Sequence, residues 1–164
     1  MVQDAPTFLG VALDAAFVYD LTLACPNVRY VKSEAVPSGE KTVELTRVLG
    51  PDVGVFGGMG GLNCLEVLDA GAKGFIPGCE LGGEWVALFE AHASGCRQKA
   101  EEIYRRVLPL IAFMYQSLDF GIACTKELLK GEGIISAAAL RAPYVLGNWS
   151  TIALNRYAER ALMA

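Results

Sequence analysis

Lys32 closes the run Val28-Arg29-Tyr30-Val31-Lys32, an apolar segment that ends on a single lysine. If the run is a strand, the lysine stands at its C-terminal end, where parallel α/β folds collect their active sites. An amine withdrawn from water there favours its neutral form, and a neutral amine adds to a carbonyl carbon. The bland alternative is a lysine whose stem lies along apolar surface while its head reaches solvent and does no chemistry. Two residues on, Glu34 falls on the same face of an extended chain. It could orient a substrate hydroxyl or move a proton; equally, it could be a loop carboxylate that only pairs with the lysine.

The other candidates are weaker. Gly57-Gly58-Met59-Gly60-Gly61 suggests a phosphate cradle, yet it lacks the Lys-Ser/Thr of a P-loop and the third glycine of a dinucleotide fingerprint. A turn that lets the backbone approach a ligand fits it better. His92, the single histidine, shares a helical pattern with Trp85 and Phe89 and reads as a packing residue. The five cysteines, Cys25, Cys64, Cys79, Cys96 and Cys124, are odd in number and scattered. They fit neither a disulfide framework nor a metal site, so no metal and no cofactor is expected, and a reducing cytoplasm is the economical location.

These residues need elements to hold them. Short apolar runs at Val28 to Val31, Val53 to Phe56 and Phe75-Ile76, with a shorter one at Met1 to Gln3, alternate with helical patterns and Gly- or Pro-rich turns, the rhythm of βαβα. Asp14 caps a first helix whose Phe17, Val18 and Leu21 share a face and which ends at Cys25-Pro26. Ser38 and Gly39 open a second, with Leu45, Val48 and Leu49 inward and Gly50-Pro51 as its stop. Asn63 and Glu66 have the spacing of a capping box, and Gly71 stands where a left-handed C-cap belongs. After Gly78 the pattern is all helix: Glu84 to Ser94, a long amphipathic segment through Ile103, Val107, Leu110, Ile111 and Met114 that Pro109 should kink, Phe120 to Lys130, and Ser150 to Met163 with Leu154, Tyr157, Ala161 and Leu162 on one face.

A parallel sheet buried on both faces belongs to a doubly wound sheet or a closed barrel, and four strands complete neither. The expectation is therefore that sequence is missing. With 53 % hydrophobic and 20 % charged residues the chain has material for a packed core. A net charge of −4 without a basic cluster gives no footprint for nucleic acid or an anionic membrane, and no apolar stretch reaches the roughly 18 residues of a membrane span. The start, with Asp4 and Pro6 and no basic region before an apolar run, is not expected to act as a signal peptide.

Three segments, Pro26-Asn27-Val28-Arg29-Tyr30-Val31-Lys32, Val55-Phe56-Gly57-Gly58 and Gly71-Ala72-Lys73-Gly74-Phe75-Ile76-Pro77-Gly78, resemble successive strand motifs of the dihydrodipicolinate synthase / N-acetylneuraminate lyase family. Thr125-Lys126-Glu127-Leu128-Leu129 and Leu140-Arg141-Ala142-Pro143 are similar to its C-terminal helices. The resemblance implies a class I aldolase-type (β/α)8 TIM barrel of which this chain is the second half: strands five to eight in 1–83, then the last barrel helix and a helical extension in 84–164. It implies that Lys32 is the Schiff-base lysine, that Gly58 and Ile76 line the 2-oxo acid pocket largely through backbone, and that Glu34 contacts the distal part of the substrate. Gln3, in Gln3-Asp4-Ala5-Pro6, stands where many members have the tyrosine of a Tyr-Asn-x-Pro turn. An amide is neither acid nor base at ordinary pH. The proton relay then falls to Glu34, a water or the substrate. Strands one to four and their Gly-x-Thr-Thr carboxylate clamp are absent.

The expected function is a carbon–carbon lyase or related dehydratase acting on pyruvate or a sugar-derived 2-oxo acid, inactive as a half. The partners implied are that small molecule and either identical subunits or a missing N-terminal half. Two alternatives stay open: a non-catalytic fragment that folds only by association, and a phosphate-binding α/β domain.

Overall fold

The computed structural model describes residues 1–141 and 144–162, so Ala142 and Pro143 of the last motif and Met163 lie outside the described residues. The chain divides into two compact units, Met1–Pro77 and Gly78–Ala164.

In the first unit, β1 (Val2–Asp4), β2 (Tyr30–Ser33), β3 (Gly54–Gly57) and β4 (Gly74–Phe75) form one parallel sheet in the order β1-β2-β3-β4. The register pairs Gln3 with Lys32 and Lys32 with Phe56, which places the three on neighbouring strands of one face. Side chains alternate along each strand, so Val31 and Val55 point the other way, toward α2 (Ala15–Ala24) and α3 (Ser38–Leu49). There they join Ala15, Val18, Leu45, Leu49 and Val53 in one apolar cluster. Full burial of a Val or Leu contributes about 1.5–3 kcal/mol, and this cluster is what fixes the strands. β2 and β3 begin and end later than their apolar runs suggest, because their ladder with each other opens at Tyr30 and Gly54 and closes at Ser33 and Gly57. A short helix α1 (Pro6–Leu9) follows β1, and α4 (Cys64–Asp69) follows β3.

The helix signals hold at the ends of the helices better than on their faces. Asp14 does cap α2, accepting the Ala16 N–H at 2.7 Å. Phe17 is not on the inner face, however: it is 54 % exposed, while Ala15 and Val18 are buried. In α2 apolar residues lie all round, so spacing alone does not select a face. α3 ends at Gly50, with φ +68°, and Gly71 takes φ +95° just beyond α4, both as expected of stop glycines.

The second unit is helical: α5 (Gly82–Ala93), α6 (Arg97–Met114), α7 (Leu118–Gly131) and α8 (Asn148–Leu162). α6 runs on through Pro109 and buries Ile103, Val107, Leu110, Ile111 and Met114. α5 and α8 both pack on it. Ser117 caps α7 through the Phe120 N–H, and Phe113 of α6 meets Phe120 edge-on and Tyr157 at a tilt, each with ring centroids 5.2 Å apart. On α8, Leu154, Ala158 and Ala161 are buried; Leu162 is half exposed, contrary to the sequence reading, because Ala158 occupies the inner stripe instead. His92 lies in the last turn of α5, on the helix that buries Trp85. Among the described residues no helix is long and apolar enough to cross a membrane.

Candidate active site

Lys32 and Glu34 leave the end of β2 on the same side of the sheet, and their side chains meet with Nζ 3.1 Å from Oε1. The lysine side chain keeps 20 % of its surface and the glutamate 8 %. The ammonium is thus drawn partly out of water beside a carboxylate that is almost wholly out of it. Chain geometry explains the meeting: residues two apart in an extended segment share a face. Glu34 stays extended because its own N–H donates to the Asp4 carbonyl of β1 at 2.7 Å, one ladder step past the strand's formal end.

Two further donors reach the carboxylate. Gln3 Nε2 donates to Oε2 at 3.2 Å from β1, and the Met59 N–H donates to Oε1 at 3.2 Å from the turn after β3. Gly58 makes that second contact possible. Its N–H holds the Ser33 carbonyl at 2.9 Å, and its Cα lies so close to Glu34 that a Cβ would overlap the side chain. The glycine-rich turn is therefore shaped around an internal carboxylate: Met59 itself takes φ +52°, Gly60 and Gly61 are also left-handed, and the amide that a phosphate cradle would offer a ligand is given to Glu34.

Of the five residues that sequence singled out, Gln3, Lys32, Glu34 and Gly58 converge in one cluster. Ile76 does not touch the cluster by hydrogen bond; its N–H donates to the Gly57 carbonyl at 2.8 Å, just past β4, so it adjoins through backbone. Sequence reasoning missed the Met59 amide and Asp4, both of which act through main-chain atoms that residue identity does not advertise. It also misassigned Asn63 and Glu66. They do not box the start of α4, where Asn63 makes no side-chain cap bond. Asn63 Nδ2 instead donates to Ser38 Oγ at 2.8 Å, and Glu66 Oε1 accepts the Gly39 N–H at 3.0 Å, both at the start of α3.

In the helical unit, an apolar cavity of about 400 Å³ is lined by Tyr115, Leu118, Ile122, Thr125 and Leu129 among others, a surface suited to packing rather than to acid–base chemistry. Thr125 donates to the buried Glu80 at 2.8 Å, and burial pushes the Glu80 carboxyl up from its ordinary value.

Amine and carboxylate side by side at the C-terminal end of a strand can exchange a proton with each other and with a bound carbonyl compound. Comparison with known proteins identifies the family. The model of the Dihydrodipicolinate synthetase family matches residues 1–150, and the chain belongs to that family. It is 32 % identical over 144 residues to L-2-keto-3-deoxyarabonate dehydratase of Azospirillum brasilense, covering 87 % of this chain and 46 % of the relative. It is 37 % identical over 83 residues to 4-hydroxy-tetrahydrodipicolinate synthase 2 of Streptomyces coelicolor, covering 49 % and 27 %. Dihydrodipicolinate synthase of Rhodopseudomonas palustris superposes with a TM-score of 0.89 at 24 % identity, over 96 % of this chain and 54 % of that one. The chain thus spans about half the length of the relatives it matches.

Proposed function

We propose that this chain supplies strands five to eight of a (β/α)8 barrel whose complete form is a Schiff-base lyase or dehydratase for pyruvate or a sugar-derived 2-oxo acid. The observation that carries the reading is the Lys32–Glu34 pair at 3.1 Å, held at the C-terminal end of a parallel strand. Glu34 takes a proton from Lys32, and the free amine adds to C2 of the 2-oxo acid. The same carboxyl returns the proton as the C2 oxygen leaves as water, forming the imine. Glu34 then removes a proton from C3, with the imine nitrogen accepting the electron pair. In a 3-deoxy sugar acid the C4 hydroxyl leaves with a proton from Glu34, and hydrolysis of the imine frees Lys32. In the lyase variant no C3 proton is removed: the C4 hydroxyl gives its proton to Glu34 as the C3–C4 bond breaks and its electron pair passes to the imine nitrogen, Glu34 returns that proton to C3, and hydrolysis of the imine frees Lys32. Gln3 cannot relay a proton; its amide, bonded to Glu34 Oε2, holds the carboxylate in place. The dehydration branch is favoured by the likeness to a relative named as a dehydratase of a 2-keto-3-deoxy acid.

Borohydride reduction with pyruvate, followed by peptide mapping, tests this on the chain and on a version with four further β/α units upstream. An adduct on Lys32 that disappears in Lys32→Ala is expected in the extended form. An adduct that survives in that variant sinks the assignment.

A second reading, that this half is non-catalytic and folds by association, is favoured by β1 and β4, which each pair on one side only, and by Phe17 and Leu23, exposed on α2. Open strand edges and apolar helix faces recruit partners. A stable monomer in sedimentation would argue against it.

A further inference from the structure

We propose that Asn63 and Glu66 are positioning residues that hold Glu34 in register with Lys32 by capping the helix of the preceding β/α unit; the inference deepens the Schiff-base reading and rests on it. Pro37 at the N-cap of α3 has no side-chain acceptor, so the first N–H groups of α3 must find partners elsewhere. Glu66, from the first turn of α4, accepts the Gly39 N–H. A Cβ on Gly39 would come within 2.6 Å of Glu66 Oε1, so the approach requires glycine there. Ser38 Oγ accepts from Asn63 and donates to the Ala35 carbonyl at 3.2 Å, which ties the residue next to Glu34 into the same contact.

The segments 34–39 and 59–66 are therefore joined at two levels. At the top, Glu34 accepts the Met59 N–H; below, Asn63 and Glu66 grip Ser38 and Gly39. Only three residues separate Glu34 from Ser38. With the lower contacts removed, Met59 and Gln3 would still bond the carboxylate opposite Lys32, but the chain that leads from Glu34 into α3 would lose two of its anchors to the second segment. A proton transfer depends steeply on such placement, whereas binding of the 2-oxo acid to Lys32 does not.

Backbone amide exchange on this chain, in wild type, Glu66→Ala, Glu66→Gln and Asn63→Ala, tests the clamp directly. Loss of one cap bond should speed exchange about fivefold at Gly39, and also at Glu34 and Met59; Glu66→Gln, whose amide oxygen still accepts, should stay near wild type. Faster exchange at Gly39 alone, with Glu34 and Met59 at wild-type rates, would overturn the proposal by reducing Glu66 to a local cap. In the complete barrel, Glu66→Ala should slow imine trapping to a similar extent without changing the pyruvate concentration for half-maximal rate. Failure of the wild type to trap pyruvate would remove the Schiff-base reading, while the exchange pattern would still decide the clamp.

Discussion

Glu34 rests against the Cα of Gly58, and the fit leaves no room for a methyl group. Gly58→Ala should therefore push the carboxylate away from Lys32 and Met59, costing about 1–3 kcal/mol as an overpacked site does and most of any imine-forming activity. Gly83→Ala is the control: nothing lies within 4 Å of a Cβ there, in the first turn of α5. It should be neutral or stabilise by up to about 1 kcal/mol. Denaturant titration of both variants, with trapping on the first, checks the pair.

Glu34→Gln keeps an oxygen to accept from Met59 and Lys32 but cannot carry a proton. Turnover of a 3-deoxy-2-oxo acid by the complete barrel should fall by about 10²-fold or more, while borohydride still traps an imine on Lys32 given longer incubation. Equal turnover in the variant would assign the relay to a water or to the substrate.

Much of this site is legible in the sequence because it depends on local periodicity. A lysine at the end of an apolar run and a glutamate two residues on must share a face if the run is extended, and they do. Gln3 comes beside Lys32 through the parallel β1–β2 register, which periodicity within one strand does not set. The capping roles of Asn63 and Glu66 were not legible. Their spacing is that of a self-capping helix, but side-chain partners are chosen by what tertiary packing brings near, and the uncapped start of α3 lies closer to hand. Phe17 escaped for a different reason: α2 has no polar face to define the opposite one.

Cysteine reactivity should divide by environment. Burial pushes the Cys64 thiol up to about 12, and burial together with the nearby Glu80 charge does the same for Cys124. Cys25, Cys79 and Cys96 are exposed. At about pH 8, where the thiolate is the reacting species, iodoacetamide should label the three exposed thiols first and the other two only after denaturant is added. Early labelling of Cys64 or Cys124, read by intact mass and peptide mapping, would contradict their burial.

Glu80 gives a pH signature. Its carboxyl, buried at 1 % exposure, is raised above 4.5 mainly by desolvation, with the Thr125 hydroxyl opposing the shift. As pH rises from 4.5, the unfolded chain releases this proton before the folded chain does, so Glu80 makes stability fall across the interval up to its raised folded value. Glu80→Gln should remove that slope. Its melting temperature should match wild type at acid pH and exceed it near neutrality.

Because the start of α3 is held by Asn63 and Glu66, at the start of α4, the β2–α3 stretch is not a self-sufficient module. A chimera that transplants residues 28–50 into another scaffold would carry the lysine and the glutamate but leave behind the two side chains that close the helix start. Recombination between such proteins should be tolerated at crossovers that move 28–70 as one block and rejected at crossovers near Gly50.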